Sequence, residues 1–150
     1  MVVSFHWVRV QMFGYATENI ELLEETMCGL VNPDDISEDI SEGEHGNETL
    51  IIQARLTKQG QYTSLFRKLP DEVLDYIVED IENRVDDDCI LYLRLDKQKA
   101  VQGIYEVAHH GDVIAITGKV QAHPAKPEVA RKAVLDFIEN LRKPRPERSW

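Results

Sequence analysis

Residues 89–96 carry the sequence CILYLRLD, in which apolar side chains alternate with mixed ones. Successive side chains of a β-strand point to opposite faces. A strand here would therefore bury one row of residues, namely Cys89, Leu91, Leu93 and Leu95. The other row would present Ile90, Tyr92 and Arg94. Such a half-buried strand is typical of a sheet with helices on one face, and not of a parallel sheet buried on both faces.

Three further segments show the same alternation: residues 5–13, 48–57 and 112–122. Helical spacing of apolar residues marks four others: residues 18–31, 62–69, 70–85 and 127–141. A short basic segment at residues 97–103 adds one or two helical turns. The order is therefore β-α-β-α-α-β-(α)-β-α. We predict an α+β fold, with a single mixed or antiparallel four-stranded sheet and helices packed on one face.

The composition predicts one domain over residues 1–150, because 43% of the residues are apolar and 29% are charged. Two cysteines, Cys28 and Cys89, are too few for a disulfide-dense scaffold or a paired-cysteine zinc site. No apolar run approaches the roughly 18 residues that span a bilayer, and the N-terminus does not resemble a signal peptide. We therefore expect a cytoplasmic protein with no membrane partner.

The charge is uneven along the chain. The formal net charge is −10, and residues 1–50 hold 11 acidic side chains against a single basic one, Arg9. Seven carboxylates lie within residues 34–48 among Ser, Gly and Asn, which predicts a solvated, mobile acidic loop. That loop could instead contact a basic partner or bind a metal ion. Residues 143–150 predict a frayed basic tail.

Motifs of catalysis are scarce. The sequence has no glycine-rich phosphate loop, no HExxH helix and no serine elbow. His109 and His110, followed by Asp112, are the one cluster that could serve a metal or proton-transfer site. A polar turn before a strand explains the same residues, so we predict no catalytic residue, no metal and no cofactor. A small hydrolase or nuclease built on the two histidines is an alternative function.

The sheet face that points away from the helices collects basic and aromatic residues. If the apolar rows face the helices, its members include Trp7, Arg9, Arg55, Tyr92, Arg94 and Lys119. By the same alternation Phe5 and Phe13 would lie on this face, and His6 would lie with the core residues. No acidic residue alternates onto the face before Asp96, at the end of a strand.

Arginines interleaved with aromatic side chains on a sheet are typical of surfaces that bind single-stranded RNA. Bases would stack on Trp7 and Tyr92, while arginine and lysine head groups contact phosphates. The negative net charge is unusual for a nucleic-acid binder that depends on electrostatic attraction. The same face could be a homodimer or adaptor interface, since exposed aromatic residues are costly. The C-terminal tail ending in Trp150 could also cover it.

Three sequence blocks carry a family resemblance. They are residues 5–8 (FHWV), residues 91–98 (LYLRLDKQ) and residues 120–127 (VQAHPAKP). With these blocks the chain resembles, over nearly its whole length, an archaeal family of small RNA-binding proteins that are also called predicted exosome subunits. The resemblance implies a fold similar to that of the ribosomal protein that binds the small rRNA of the large subunit, an α+β sheet with helices on one side.

The resemblance supplies no catalytic residues, but it draws attention to Lys97, Lys99, His123 and Lys126 as surface groups beside the shared blocks. We therefore predict a non-catalytic protein that binds RNA or a ribonucleoprotein assembly, in RNA processing or ribosome biogenesis. The candidate RNA-binding residues are Trp7, Arg9, Arg55, Tyr92, Arg94, Lys97, Lys99, Lys119 and Lys126.

Overall fold

The computed structural model describes residues 4–15, 17–42 and 48–143. Within these ranges five strands form one sheet: β1 (Phe5–Gly14), β2 (Ile36–Glu42), β3 (Glu48–Leu56), β4 (Ile90–Asp96) and β5 (Val113–Val120). Their order across the sheet is β2-β3-β1-β5-β4, and every neighbouring pair is antiparallel. The predicted α+β class with an antiparallel sheet is confirmed, with five strands instead of four.

The same ranges contain six helices: α1 (Ile20–Leu30), α2 (Gln59–Arg67), α3 (Asp71–Glu79), α4 (Ile81–Arg84), α5 (Lys97–Val101) and α6 (Pro127–Arg142). The helix predicted over residues 70–85 is divided at Asp80, whose carboxylate accepts hydrogen bonds from the side chains of Asn83 and Arg84. The observed order is therefore β-α-β-β-α-α-α-β-α-β-α. None of the helices described has the length and apolar character that crossing a membrane requires.

The helices cover one face of the sheet, because every central strand turns its apolar row to that side. Along β5, buried and half-buried residues alternate without a break, and Ile114 and Ile116 are fully buried. α6 meets this row with Val134, Phe137 and Ile138. These residues belong to one continuous core that includes apolar side chains from all the longer helices.

The acidic segment contains an edge strand. The mobile loop predicted over residues 34–48 is wrong for its described part, because Ile36–Glu42 forms β2 and pairs in register with β3. Carboxylates are tolerated there because the side chains of an edge strand stay largely exposed, and edge charges oppose unwanted strand pairing. The remainder of that segment, residues 43–47, and the predicted tail beyond Lys143 lie outside the described residues.

An irregularity near the start of β1 changes which aromatic residue faces the core. The register between β1 and β5 shifts between Phe5 and Trp7, as in a β-bulge. Phe5 is therefore fully buried, whereas Trp7 is half-buried and His6 between them is exposed. The predictions that Phe5 lies opposite the core and that His6 lies with it are both wrong, because strict alternation does not continue through a bulge.

Candidate nucleic-acid interface

We refer to the sheet face opposite the helices as the open face. Its side chains come from four strands: Trp7, Arg9, Gln11 and Phe13 of β1, Ile51, Gln53 and Arg55 of β3, Ile90, Tyr92 and Arg94 of β4, and Val113, Ala115, Thr117 and Lys119 of β5. All of them are exposed or half-buried, in contrast to the buried rows on the helix side. The open face is therefore a surface that a ligand could reach.

The strand register brings the basic and aromatic residues together. Arg55 of β3 lies opposite Arg9 of β1, and Arg9 lies opposite Thr117 of β5. Thr117 in turn lies opposite Tyr92 of β4. Directly opposite side chains of an antiparallel pair have Cβ atoms about 5 Å apart. This row therefore sets two guanidinium-bearing residues side by side at the centre of the face and an aromatic ring at its end.

Trp7 lies on the next row of the open face, opposite Lys119. The guanidinium carbon of Arg55 lies 5.6 Å from the centroid of the Trp7 ring, within the range of a cation–π contact. The bulge lies between Phe5 and Trp7, and the pairing of β1 with β5 is regular from Trp7 onward. The bulge therefore does not disturb this arrangement. Trp7 and Arg55 thus form one unit that combines an aromatic ring with a guanidinium group.

Tyr92 lies close to the acidic turn that precedes β4. Burial raises the pKa of the Tyr92 phenol above its usual value, and the nearby carboxylates of Asp86 and Asp88 raise it further. The Asp86 carboxylate accepts hydrogen bonds from the backbone N–H groups of Asp88 and Ile90 at 2.9 and 3.0 Å, which holds it in this turn. The raised pKa favours the neutral phenol, and the ring is 38% exposed on the open face.

Lys119 makes a hydrogen bond to the turn that precedes β4. Its Nζ donates a hydrogen bond to the backbone carbonyl of Asp88, in the same turn. The ammonium group of Lys119 is therefore already engaged in a hydrogen bond within the protein. The three arginines of the open face are the stronger candidates for phosphate contact. Arginine also suits phosphate better than lysine does, because its planar fork donates two parallel hydrogen bonds.

Carboxylates border the open face on the β2 side as well. Asp39 of β2 lies opposite Ile51 of β3, which lies opposite Phe13 on the open face. The prediction that no acidic residue reaches this face before Asp96 is therefore wrong, since it treated the segment containing Asp39 as a loop. The basic residues of the open face lie on β3, β1, β5 and β4, namely Arg55, Arg9, Lys119 and Arg94.

Lys97 does not belong to this surface. Its side chain is fully buried, and its Nζ lies 2.7 Å from the carbonyl oxygen of Phe13, from Glu18 Oε1 and from Asp112 Oδ2. The prediction that Lys97 is a surface group is wrong. The ammonium instead ties together the end of β1, the segment before α1 and the start of β5.

Two other predicted lysines lie apart from the strand rows. Lys99 is on α5, exposed, with its Nζ paired to the carboxylate of Glu106. Lys126 immediately precedes α6 and is exposed, as is His123 before it. The structure therefore brings together six of the nine predicted residues: Trp7, Arg9, Arg55, Tyr92, Arg94 and Lys119. A role for any of them in RNA binding stays a prediction.

The histidine cluster is a surface turn in the structure. His109 and His110 are both exposed, and the His109 ring makes an edge contact with Tyr76 at a centroid distance of 5.9 Å. Asp112 is paired with Lys97. Among the described residues, no three His, Cys, Asp or Glu side chains are grouped closely enough to hold a metal ion.

Sequence reasoning gave no role to one polar group at the centre of the open face. The hydroxyl of Thr117 is shielded from solvent and has no hydrogen-bond partner among the described residues. It lies between Arg9 and Tyr92 in the central row. Alternation alone places Thr117 on this face, but only the register shows that it lies between those two residues.

These features define an α+β protein whose antiparallel sheet carries an arginine-rich and aromatic open face. The chain belongs to the RNA-binding family, whose model matches residues 7–120. The match spans β1 to β5 and so includes every strand of the open face. The predicted family is thereby confirmed.

Relatives of the chain come from archaea. RNA-binding protein PAB1135 of Pyrococcus abyssi is 32% identical over 144 residues, which cover 89% of this chain and 94% of that protein. The solved structure of Mth689, a DUF54 protein from Methanothermobacter thermautotrophicus, is 32% identical with a TM-score of 0.76, covering 90% of this chain and 98% of that one. SSO0741 from Sulfolobus solfataricus, at 20% identity and a TM-score of 0.66 over 87% of this chain and 98% of that one, shows the fold alone.

Proposed function

We propose that the chain binds single-stranded or unpaired RNA on the open face and catalyses no reaction on it. The observation that carries the proposal is the direct opposition of Arg9 and Arg55, with Trp7 against Arg55. Like charges on directly opposite residues destabilise a sheet. A phosphate bound by both guanidiniums would replace that repulsion by two charge-assisted contacts. Membership of the RNA-binding family and a relative named as an RNA-binding protein support the same conclusion.

The global charge bears on where such binding takes place. A net charge of −10 repels RNA at long range, so affinity for free RNA would be modest and would fall steeply with salt. A cytoplasmic ribonucleoprotein assembly offers both an RNA and basic proteins that the acidic regions could face. We therefore place the protein in such an assembly, in RNA processing or ribosome biogenesis. The link to the exosome and the likeness to a ribosomal protein stay predictions.

An Arg55→Ala, Arg94→Ala double variant is expected to lose most RNA affinity and part of its salt dependence. The logarithm of the binding constant falls with the logarithm of salt concentration, and each phosphate contact to a single strand adds about 0.7 to the steepness of that fall. Losing two contacts should therefore reduce the steepness by about 1.4. The measurement is fluorescence anisotropy of labelled single-stranded and hairpin RNAs across a salt series. Single-stranded RNA should bind more tightly, because its bases are free to stack.

A matched control removes two positive charges from the helix side. Arg67 of α2 and Lys132 of α6 are exposed, so an Arg67→Ala, Lys132→Ala variant has the same net charge as the test variant. Equal losses in both variants would show a non-specific charge effect and contradict an open-face site. Absence of binding at low salt would overturn autonomous RNA binding. A salt-insensitive dimer broken by Trp7→Ala would instead identify the open face as a protein interface.

A further inference from the structure

Among the described residues, no strand pairs with the outer edge of β2. β2 is terminal in the sheet, and its seven residues pair with β3 on the inner side only. The other terminal strand differs, because Val85 and Val107 bridge to Leu91 and Leu95 along the outer edge of β4. No such bridge flanks β2 within the described part of the chain. Alternate backbone N–H and C=O groups of β2 are therefore available to another strand.

An apolar residue on β2 adds a place for side-chain contact. Ile40 is 68% exposed, which is unusual for an isoleucine in a strand. It borders a shallow, mainly apolar cleft that is also lined by Tyr15, Ile20 and Leu50. A strand added beside β2 would place one of its own side chains against Ile40, because side chains of paired residues lie on the same side of a sheet.

Negative charge surrounds this edge. β2 itself carries Glu38, Asp39 and Glu42, all exposed. The neighbouring helix α1 contributes Glu24, whose carboxylate raises the pKa of Glu38 above its usual value because it favours the protonated form of Glu38 as a hydrogen-bond donor. Two carboxyl groups that share a site in this way repel each other when both are ionised, and a cation beside them would relieve that repulsion.

We propose that the outer edge of β2 is a docking site for an extended, basic peptide segment of another protein, which adds a strand to the sheet. Backbone hydrogen bonds would give the affinity, and a row of lysine or arginine side chains facing Glu38 and Glu42, which lie on the same side of β2, would give the specificity. A second copy of this chain fits poorly, because two β2 edges would bring like charges together. The negative charge of these carboxylates also repels RNA phosphates. The β2 edge is therefore a different site from the open face.

The test uses the full chain and a capped synthetic peptide, Lys-Val-Arg-Ile-Lys-Val-Arg, with a fluorescent label. We expect saturable binding by anisotropy and slowed amide hydrogen exchange confined to β2. An analogue with glutamate in place of each basic residue should not bind. N-methylation at two consecutive central residues blocks both edges of the peptide at constant charge, and we expect it to weaken binding about tenfold through lost hydrogen bonds. Equal binding of the N-methylated peptide would overturn the proposal.

Variants of the protein give an independent result. Glu38→Lys with Asp39→Lys should abolish peptide binding, whereas Glu79→Lys with Glu139→Lys, the same charge change on α3 and α6, should leave most of it. Circular dichroism shows whether each variant is folded. If the β2 variant does not fold, the comparison of the plain and N-methylated peptides still tests the proposal on the wild-type chain. Equal losses in the two variants, exchange protection outside β2, or self-association of the free chain through β2 would each contradict the proposal.

Discussion

Replacing Lys97 by Met is expected to lower the free energy of unfolding by about 2–4 kcal/mol, since removing one partner of a buried ion pair leaves uncompensated charge. The ammonium lies 2.7 Å from oxygens of Glu18, Asp112 and Phe13, and its own side chain is fully buried. Without it, two carboxylates face each other beside a carbonyl oxygen that has lost its donor. Urea denaturation followed by circular dichroism measures the change.

Lys99→Met is the control for Lys97→Met. Lys99 pairs with Glu106, but both side chains are about half exposed. Exposed ion pairs contribute little, so Lys99→Met should change the free energy of unfolding by less than about 1 kcal/mol. Similar effects of the two substitutions would contradict the buried site at Lys97.

The Lys97 cluster also predicts a pH dependence. Burial alone would raise the pKa of Glu18, but hydrogen bonds from Lys97, the Tyr15 N–H and Gln98 hold it below its usual value of 4.5. The ionised carboxylate is therefore favoured in the folded state, and its contribution to stability is present above about pH 4.5. That contribution is lost as the pH falls through the folded pKa. The difference in stability between wild type and Lys97→Met should shrink over the same range, as denaturation at several pH values would show.

Lys97 illustrates the limit of sequence reasoning about charged residues. The sequence correctly predicts a short helical segment after the third alternating strand, and the structure confirms it as α5. Long basic side chains are mostly exposed, so a surface position for Lys97 follows from its residue type. Its burial depends on Glu18 and Asp112, which reach it from two distant parts of the chain. Only the tertiary arrangement brings those carboxylates together.

β2 shows a different limit. Its sequence, ISEDISE, is rich in residues typical of loops, and its alternation involves only Ile36 and Ile40. An edge strand is stabilised by one ladder of backbone hydrogen bonds, so its side chains need not be apolar. Composition therefore predicts a loop where the ladder with β3 forms a strand. The central strands were predictable because each must bury one row of side chains.

The open face was largely predictable for the same reason. Once the apolar rows of β3, β4 and β5 are assigned to the helix side, Arg55, Tyr92, Arg94 and Lys119 must lie on the other side. Alternation does not give the order of strands, however, so it could not show that Arg9 lies directly opposite Arg55. It also could not show that the carboxylates of Asp86 and Asp88 lie close enough to Tyr92 to raise its pKa, because both belong to the turn before β4. The sequence thus predicts which residues share the surface, and the register determines which of them are neighbours.

Replacing Phe5 by Ala is expected to lower the free energy of unfolding by about 3–5 kcal/mol, the range for removing a fully buried phenylalanine. Phe5 packs against three other aromatic rings at centroid distances of 5.2 Å to Tyr62, 5.8 Å to Phe66 and 5.4 Å to Phe137. The β-sheet accommodates its ring because Gly118 lies beneath it, where a Cβ atom would lie 3.0 Å from Phe5 Cδ1. Thermal or urea denaturation measures the loss.

Phe13 in the same strand is the matched control, and the comparison tests the bulge itself. Uninterrupted alternation places Phe5 and Phe13 on the same face, whereas the register shift puts Phe5 in the core and leaves Phe13 40% exposed on the open face. Phe13→Ala should therefore change the free energy of unfolding by less than about 1 kcal/mol, as most surface substitutions do. Equal losses from the two substitutions would mean that β1 continues without a bulge. A large loss for Phe5→Ala alone would establish that the bulge separates the core aromatic cluster from the residues of the open face.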